Sequence, residues 1–334
     1  MNQINCTDLD EWFENLISRG KQIPATSPAV DISKRPEYFD QKLFKRAQRA
    51  CQKYYVNLSM ASTSGLLLLL QQDCILQPLI KSGKSKTVPD LYDRYTATVK
   101  YITCLYDTDF VDPSTRGWRY IIMVRGMHDK IHTLMNQDRK GDGNPNLWVN
   151  QYDMVVTQMA FMELFILHHE KCGIYDLKPQ EKQDIIYYWR IISYYFGIEE
   201  RFNIFAFHND MDRQIQLVDK FFRYKNQKKR IGVGLEMAKG FMLAFEELSE
   251  NSSFNILDHW WYPEVRISGQ QESYTWSDLY KLIFFLFYFK ILFRFQIFLP
   301  LVNRAYRKKF DRFCKDGDKV KKKLRKKYGH LTYE

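Results

Sequence analysis

Apolar residues recur three and four apart along most of this chain, and strict alternation is rare. That pattern predicts helices and very few strands. A short helix over Asp8–Ser18 leads into a proline-containing arm, and Phe39–Ala61 reads as one amphipathic helix. Leu66–Leu70 is too short to span a bilayer and fits a buried helix. Pro89–Tyr106 is helical, Asp107–Thr115 is a turn, and Gly117–Met135 is a helix with no proline inside it. Gly141–Asn146 is loop. Asn150, supported by Asp153, caps a helix that runs to about Lys171 and stops at Gly173. Pro179 opens another that ends near Gly197, and further helices follow over Glu199–Lys225 and Gly232–Ser249. The one strand signal is Glu264–Ser268. With no internal repeat and no linker before residue 250, the predicted fold is all-α, a single globular domain over residues 1–275.

Residues 276–302 differ from what precedes them. Leu279–Val302 is hydrophobic and aromatic but interrupted by Lys290 and Arg294, four residues apart and so on one helical face. Two central cations disfavour a straight span, whereas a segment lying in the membrane interface lets both reach the headgroups. The expectation is a membrane-associating segment at 276–302, in-plane or a shallow hairpin, followed by a polybasic tail at 303–334. The run Lys319–Lys327 adds attraction to anionic lipid. A core helix of the domain followed by a loose tail is the other reading.

Composition and charge narrow the partners. Of the chain's net +11, +10 falls between Asn303 and Tyr328, where thirteen Lys and Arg face three Asp; the other 308 residues are nearly neutral. Nucleic-acid binders spread charge over a folded face, so no nucleic-acid partner is expected. Aromatics make up 16% of the chain, which suits a large apolar interior, a greasy pocket or contact with lipid. Six scattered cysteines without a Cys-x-x-Cys pair read as reduced thiols of an intracellular protein. No signal peptide is visible at the N-terminus, and the three Asn-x-Ser/Thr sites read as chance.

The candidate chemistry centres on His128. On the Gly117–Met135 helix, Ile121, Val124, Ile131, His132 and Met135 project within about 60° of it, which places its imidazole in an apolar stripe expected to be buried. Such a ring is either a hydrogen-bonded core residue or a nitrogen ligand shielded from water. His128 and His132, four apart, also raise a non-haem metal site completed by Glu163, His168 or His169, although no His-Glu-x-x-His run exists.

Four short motifs in fixed order carry a family resemblance: Arg94-x-x-x-Thr98, Val124-Arg125-x-x-His128, Asn150-Gln151-x-Asp153-Met154, and Tyr188-Trp189-Arg190 followed by Gly197-Ile198. Residues from about Pro28 to Asn203 resemble the catalytic domain shared by bacterial rubber oxygenase (latex clearing protein) and the endoplasmic-reticulum-bound oxygenase of mycophenolic acid biosynthesis. The resemblance implies an all-helical domain enclosing a haem b pocket, with His128 as the iron ligand. It places Arg94 and Thr98 in the pocket, as cofactor-binding and catalytic residues, and those enzymes split a C=C bond of a polyisoprenoid with dioxygen. Arg125, beside His128 on the helix, is a candidate for a haem propionate or for Asp153. Surface pairing for Arg94, a backbone-bonded hydroxyl for Thr98, capping for Asn150 and Asp153, and a packed aromatic beside an ion pair for Trp189-Arg190 are the plainer readings. One position departs from the family, since rubber oxygenase has a lysine before the threonine and this chain has Ala97.

The expected protein is therefore a haem-dependent oxygenase of an isoprenoid or other unsaturated lipid, held at the cytoplasmic face of the endoplasmic reticulum. A non-catalytic haem or lipid binder at membranes, favoured by Ala97, and a membrane-tethered helical scaffold without haem are the alternatives.

Overall fold

The computed structural model describes residues 9–137, 143–227, 232–265 and 273–333. The predicted all-α class is what it shows. The helices are α1 (Leu9–Ser18), α2 (Gln41–Lys53), α3 (Tyr55–Leu69), α4 (Asp73–Lys81), α5 (Val88–Asp107), α6 (Arg116–Asn136) and α7 (Gln151–His168). They continue as α8 (Pro179–Tyr195), α9 (Met211–Asn226), α10 (Gly232–Ala244), α11 (Phe254–Trp261), α12 (Trp276–Leu286), α13 (Leu299–Lys315) and α14 (Gly317–Tyr328). Among the described residues there is no strand, only two isolated bridges. The strand expected over Glu264–Ser268 falls largely outside them; Glu264 and Val265 end a turn.

The chain divides into two compact units, each assembled from separated stretches. The first comprises residues 1–52, 101–167 and 178–224, and the second 53–100, 168–177 and 225–334. Helix α5 begins in the second and ends in the first. The hydrophobic stretch and the basic segment both lie in the second unit.

In the first unit, α7 has apolar residues around its whole circumference and is buried along almost its whole length, with Gln158 and Glu163 buried among them. Around it an aromatic core forms. Tyr188 stacks on Phe44 at 5.1 Å, meets Phe110 edge-on and donates its hydroxyl to the Leu105 carbonyl. Trp189 stacks on Phe161, and its indole N–H reaches Tyr106 Oη at 3.1 Å. Arg190 pairs with Glu200 at 2.6 Å, so Trp189-Arg190 is a packed aromatic beside an ion pair.

In the second unit two expectations change. The single helix expected over Phe39–Ala61 is two, broken at Tyr54, whose ψ of 25° leaves the helical range. Asn303, distant in sequence, bridges the break: its side-chain amide donates to the Lys53 carbonyl and accepts from the Val56 N–H. The basic segment is no loose tail. It folds as α13 and α14, burying Phe310, Phe313, Val320 and Leu324, and its cations meet acids of the same unit. Lys327 pairs with Glu246, Lys309 with Glu250, Lys321 with Asp93 and Lys323 with Glu247.

His208, buried in the first unit, accepts from Arg190 Nη1 through Nδ1 at 3.2 Å, a contact that requires a neutral ring. Burial, reinforced by the Arg190 charge, pushes its pKa from the ordinary 6.5 down to about 4. The unfolded chain therefore binds a proton that the folded one refuses between those values. Stability should be full above about pH 6.5 and fall as pH drops toward 4, by roughly 3 kcal/mol from this group. Urea denaturation across pH 4–7 should show that slope, flattened in His208→Asn.

Candidate functional site

The sequence motifs converge on α6 and on what holds it. Thr115 caps this helix, its Oγ1 accepting from the Trp118 N–H at 3.2 Å. Gly117 lets the first turn press against the preceding loop, since a Cβ there would stand 2.3 Å from Thr108 Oγ1 and 2.8 Å from Phe110. His128 follows three turns later.

Two anchors flank that histidine. On one side Arg125 donates from Nη1 to the Tyr195 carbonyl at 3.3 Å, at the end of α8. Gly197 makes room for it, because a Cβ there would be 2.7 Å from Arg125 Nη1, and its φ of +97° is the left-handed conformation that closes α8. The Ile198 N–H completes that closure by donating to the Ser193 carbonyl at 3.0 Å. On the other side His132 holds the segment before α7. Its Nδ1 is 2.9 Å from the Trp148 carbonyl and 3.0 Å from that of Val149, so that nitrogen carries the proton. Val149 has a φ of 54°, a strained backbone for a β-branched residue, and this turns both carbonyls toward the ring. Asn136 adds a reciprocal pair with Trp148.

Gln151 ties the anchors together. Its side-chain N–H groups lie 2.9, 2.8 and 2.9 Å from the carbonyls of Pro24, Ala25 and Gly197, and its Oε1 accepts from the Glu199 N–H at 2.9 Å. Asn150 and Asp153 cap α7 reciprocally, each accepting the other's backbone N–H. The Asn-Gln-x-Asp motif is thus scaffold: it fixes the N-terminal arm, the start of α7 and the turn after α8.

His128 itself is half-buried, with Phe196 edge-on at 6.5 Å. The expected buried stripe is corrected here. Only Gly117 and Ile121 of α6 are buried; Val124, Ile131 and Met135 are half-covered, and Met123 and Met127 are 38% and 45% exposed. Periodicity had set the direction of the apolar face but not what covers it. A half-buried imidazole on an apolar, half-open helix face fits a flat hydrophobic macrocycle with a nitrogen ligand. Arg125, a candidate for a propionate or Asp153, donates to the Tyr195 carbonyl, and burial pushes its pKa down.

Arg94 and Thr98 stand in the second unit, His128 and Arg125 in the first. Among the described residues the partners of Arg94 are the hydroxyls of Ser85 at 3.1 Å and Ser82 at 3.4 Å, both neutral, and burial lowers its pKa. Thr98 donates to the Arg94 carbonyl at 3.2 Å. Among the described residues no three His, Cys, Asp or Glu side chains group closely enough to hold a metal ion. Gln151 and His132 were the scaffold residues that motif reading undervalued; a buried amide just after a helix cap was the available signal.

Residues 53–220, half of the chain, match a family model described as ER-bound oxygenase mpaB/B'/Rubber oxygenase, catalytic domain. No curated protein and no solved structure matches the chain.

Replacing Gln151 by the near-isosteric Leu leaves three carbonyls and one N–H buried without this partner. Gln151→Leu should cost more than about 3 kcal/mol in urea denaturation.

Proposed function

This chain belongs to the family of the ER-bound oxygenase mpaB/B' and rubber oxygenase, and on that premise we propose that it is a haem b-dependent oxygenase. Its substrate is a hydrophobic molecule with a C=C bond, an isoprenoid or another unsaturated lipid, which it cleaves or oxygenates. The observation that carries the proposal is the half-open apolar face of α6, with His128 at its centre and an anchor on either side.

Haem b, when bound, supplies the iron that activates dioxygen. His128 is the proposed iron ligand. Arg125 and His132 would hold its ring in place for the iron by fixing α6. Val124, Met127 and Ile131 would offer the cofactor and substrate an apolar surface beside His128. Arg94 and Thr98 keep, as a proposal, the pocket roles that the family resemblance implies. The Arg94 guanidinium, bonded to neutral hydroxyls, retains its full charge for a carboxylate or a polar oxygen. Attachment at the cytoplasmic face of the endoplasmic reticulum goes with a substrate that partitions into lipid. Ala97, where rubber oxygenase has a lysine, favours a second reading, a haem or lipid binder that does not turn over.

Purified after haem-supplemented expression, the protein should be red with a Soret band, and His128→Ala should lose or strongly shift that band while remaining helical by circular dichroism. A colourless wild-type protein overturns the haem assignment. With dioxygen, a reductant and a polyunsaturated isoprenoid, the enzyme should release carbonyl products. Arg94→Ala and Thr98→Ala should each lower that turnover by at least about tenfold with the Soret band retained; absence of products from the red wild-type protein selects the non-catalytic reading.

A further inference from the structure

The outward side of α12, and of the π-helical turn Phe287–Ile291 that continues it, inverts the usual rule for a surface helix. Trp276, Tyr280, Ile283, Phe287 and Ile291 recur three to four residues apart and face outward, with Trp276 89% exposed. The inward side is apolar as well: Phe285, Phe289 and Phe293 are buried, and Phe285 stacks on Phe289 and meets Trp260 edge-on. A helix apolar on both sides has one partner in its own unit and needs another outside it.

The polypeptide then turns sharply. The stretches Trp276–Arg294 and Gln296–Lys315 meet at 106°, and among the described residues no single helix is long and apolar enough to cross a membrane. Beyond the bend the outward residues remain apolar, with Ile297 82% and Leu301 66% exposed. This elbow is fixed in place. Thr275 and Asp278 form a capping box, and Asp278 also binds Ser253 and Asn255 at the start of α11. Tyr175 donates to the Phe289 carbonyl, Gln296 donates to that of Asp176, and Phe293 seats over Gly173, where a Cβ would stand 2.5 Å away.

Charge selects what lies against this surface. From Leu279 to Phe310 there are seven Lys or Arg and no Asp or Glu. Lys290 and Arg294 are held over the rings of Trp260 and Tyr175, each 4.9 Å from the centroid. Arg304 and Lys308 are exposed on α13, just beyond Leu301. An apolar ridge whose own sequence from Leu279 to Phe310 carries cations and no acid, with Trp and Tyr at its start, matches an anionic lipid surface: acyl chains take the ridge and headgroups take the cations.

We propose that the α12–α13 elbow is a pre-formed monotopic membrane-docking surface, lying in the plane of an anionic bilayer with Ile283, Phe287, Ile297 and Leu301 in the acyl boundary and Arg304 and Lys308 among the headgroups. This deepens the membrane-associated part of the function proposed above and is independent of haem. Flotation of the full chain with phosphatidylcholine vesicles, with and without 30% phosphatidylserine, tests it. The wild type should bind both and favour the anionic vesicles. Ile283→Glu/Ile297→Glu, both exposed positions, should weaken binding to both at least about a hundredfold. Arg304→Gln/Lys308→Gln should lose about 25-fold on the anionic vesicles alone, about fivefold per cation. Every variant should keep the wild-type helical spectrum and Soret absorbance, so a lost cofactor and a lost membrane contact read out separately. Wild-type flotation by the glutamate pair overturns the proposal, as does failure of the wild type to float. A solution dimer that the glutamate pair dissociates, without vesicle binding, also overturns it and assigns the face to a second copy of the chain.

Discussion

The side-chain amide of Gln151 is the contact on which the candidate site depends. It spans three backbone segments far apart in sequence, the arm at Pro24–Ala25, the start of α7 and the turn at Gly197–Glu199. Backbone bonds such as Ala25 N–H to the Val149 carbonyl and Ser27 N–H to the Gly197 carbonyl join the same segments, and the amide adds four more to them. The end of α8, just before that turn, supplies the carbonyl that anchors Arg125, and the segment before α7 supplies those that anchor His132. The placement of α6, and of His128 on it, is thus built from backbone carbonyls gathered by three polar side chains.

A helix held by polar anchors can leave its apolar face uncovered, which a helix held by packing cannot. In α6 the anchors Arg125 and His132 sit on either side of His128, and the residues around the imidazole remain half-exposed. Val149, strained at φ 54°, belongs to the same economy: a local backbone cost is accepted because it aims two carbonyls at one ring. For the proposed haem-dependent oxygenase the consequence is that the candidate ligand His128 rides on a helix the protein itself holds in place.

The C-terminal third shows one chemistry used in two directions. In α13 and α14 the apolar residues Phe310, Phe313, Val320 and Leu324 turn inward, while several basic side chains pair with Glu246, Glu247, Glu250 and Asp93. In α12 aromatic residues turn both inward and outward, and from Leu279 to Phe310 the sequence has seven cations and no Asp or Glu. The basic segment therefore completes the second unit, and the aromatic one both completes it and presents a surface.

Helical periodicity made the all-α class, most helix positions, the cap at Asn150 and Asp153, and the ion pair at Arg190 legible in the sequence, because each depends on residues within a few turns of one another. The four motifs in order also carried the family. What the sequence left undecided depended on distant partners. The break at Tyr54 is held by Asn303, the Gln151 amide reaches residues 46 and 126 or more positions away, and the basic segment's acids lie some 60 to 230 residues upstream. The burial of His128 was misjudged for the same reason. Sequence by itself determined which face of α6 is apolar, since that follows from 100° per residue. Only the tertiary structure decided that this face stays half-open, because cover is supplied by whatever other segments reach it, and here they grip the helix through Arg125 and His132 instead.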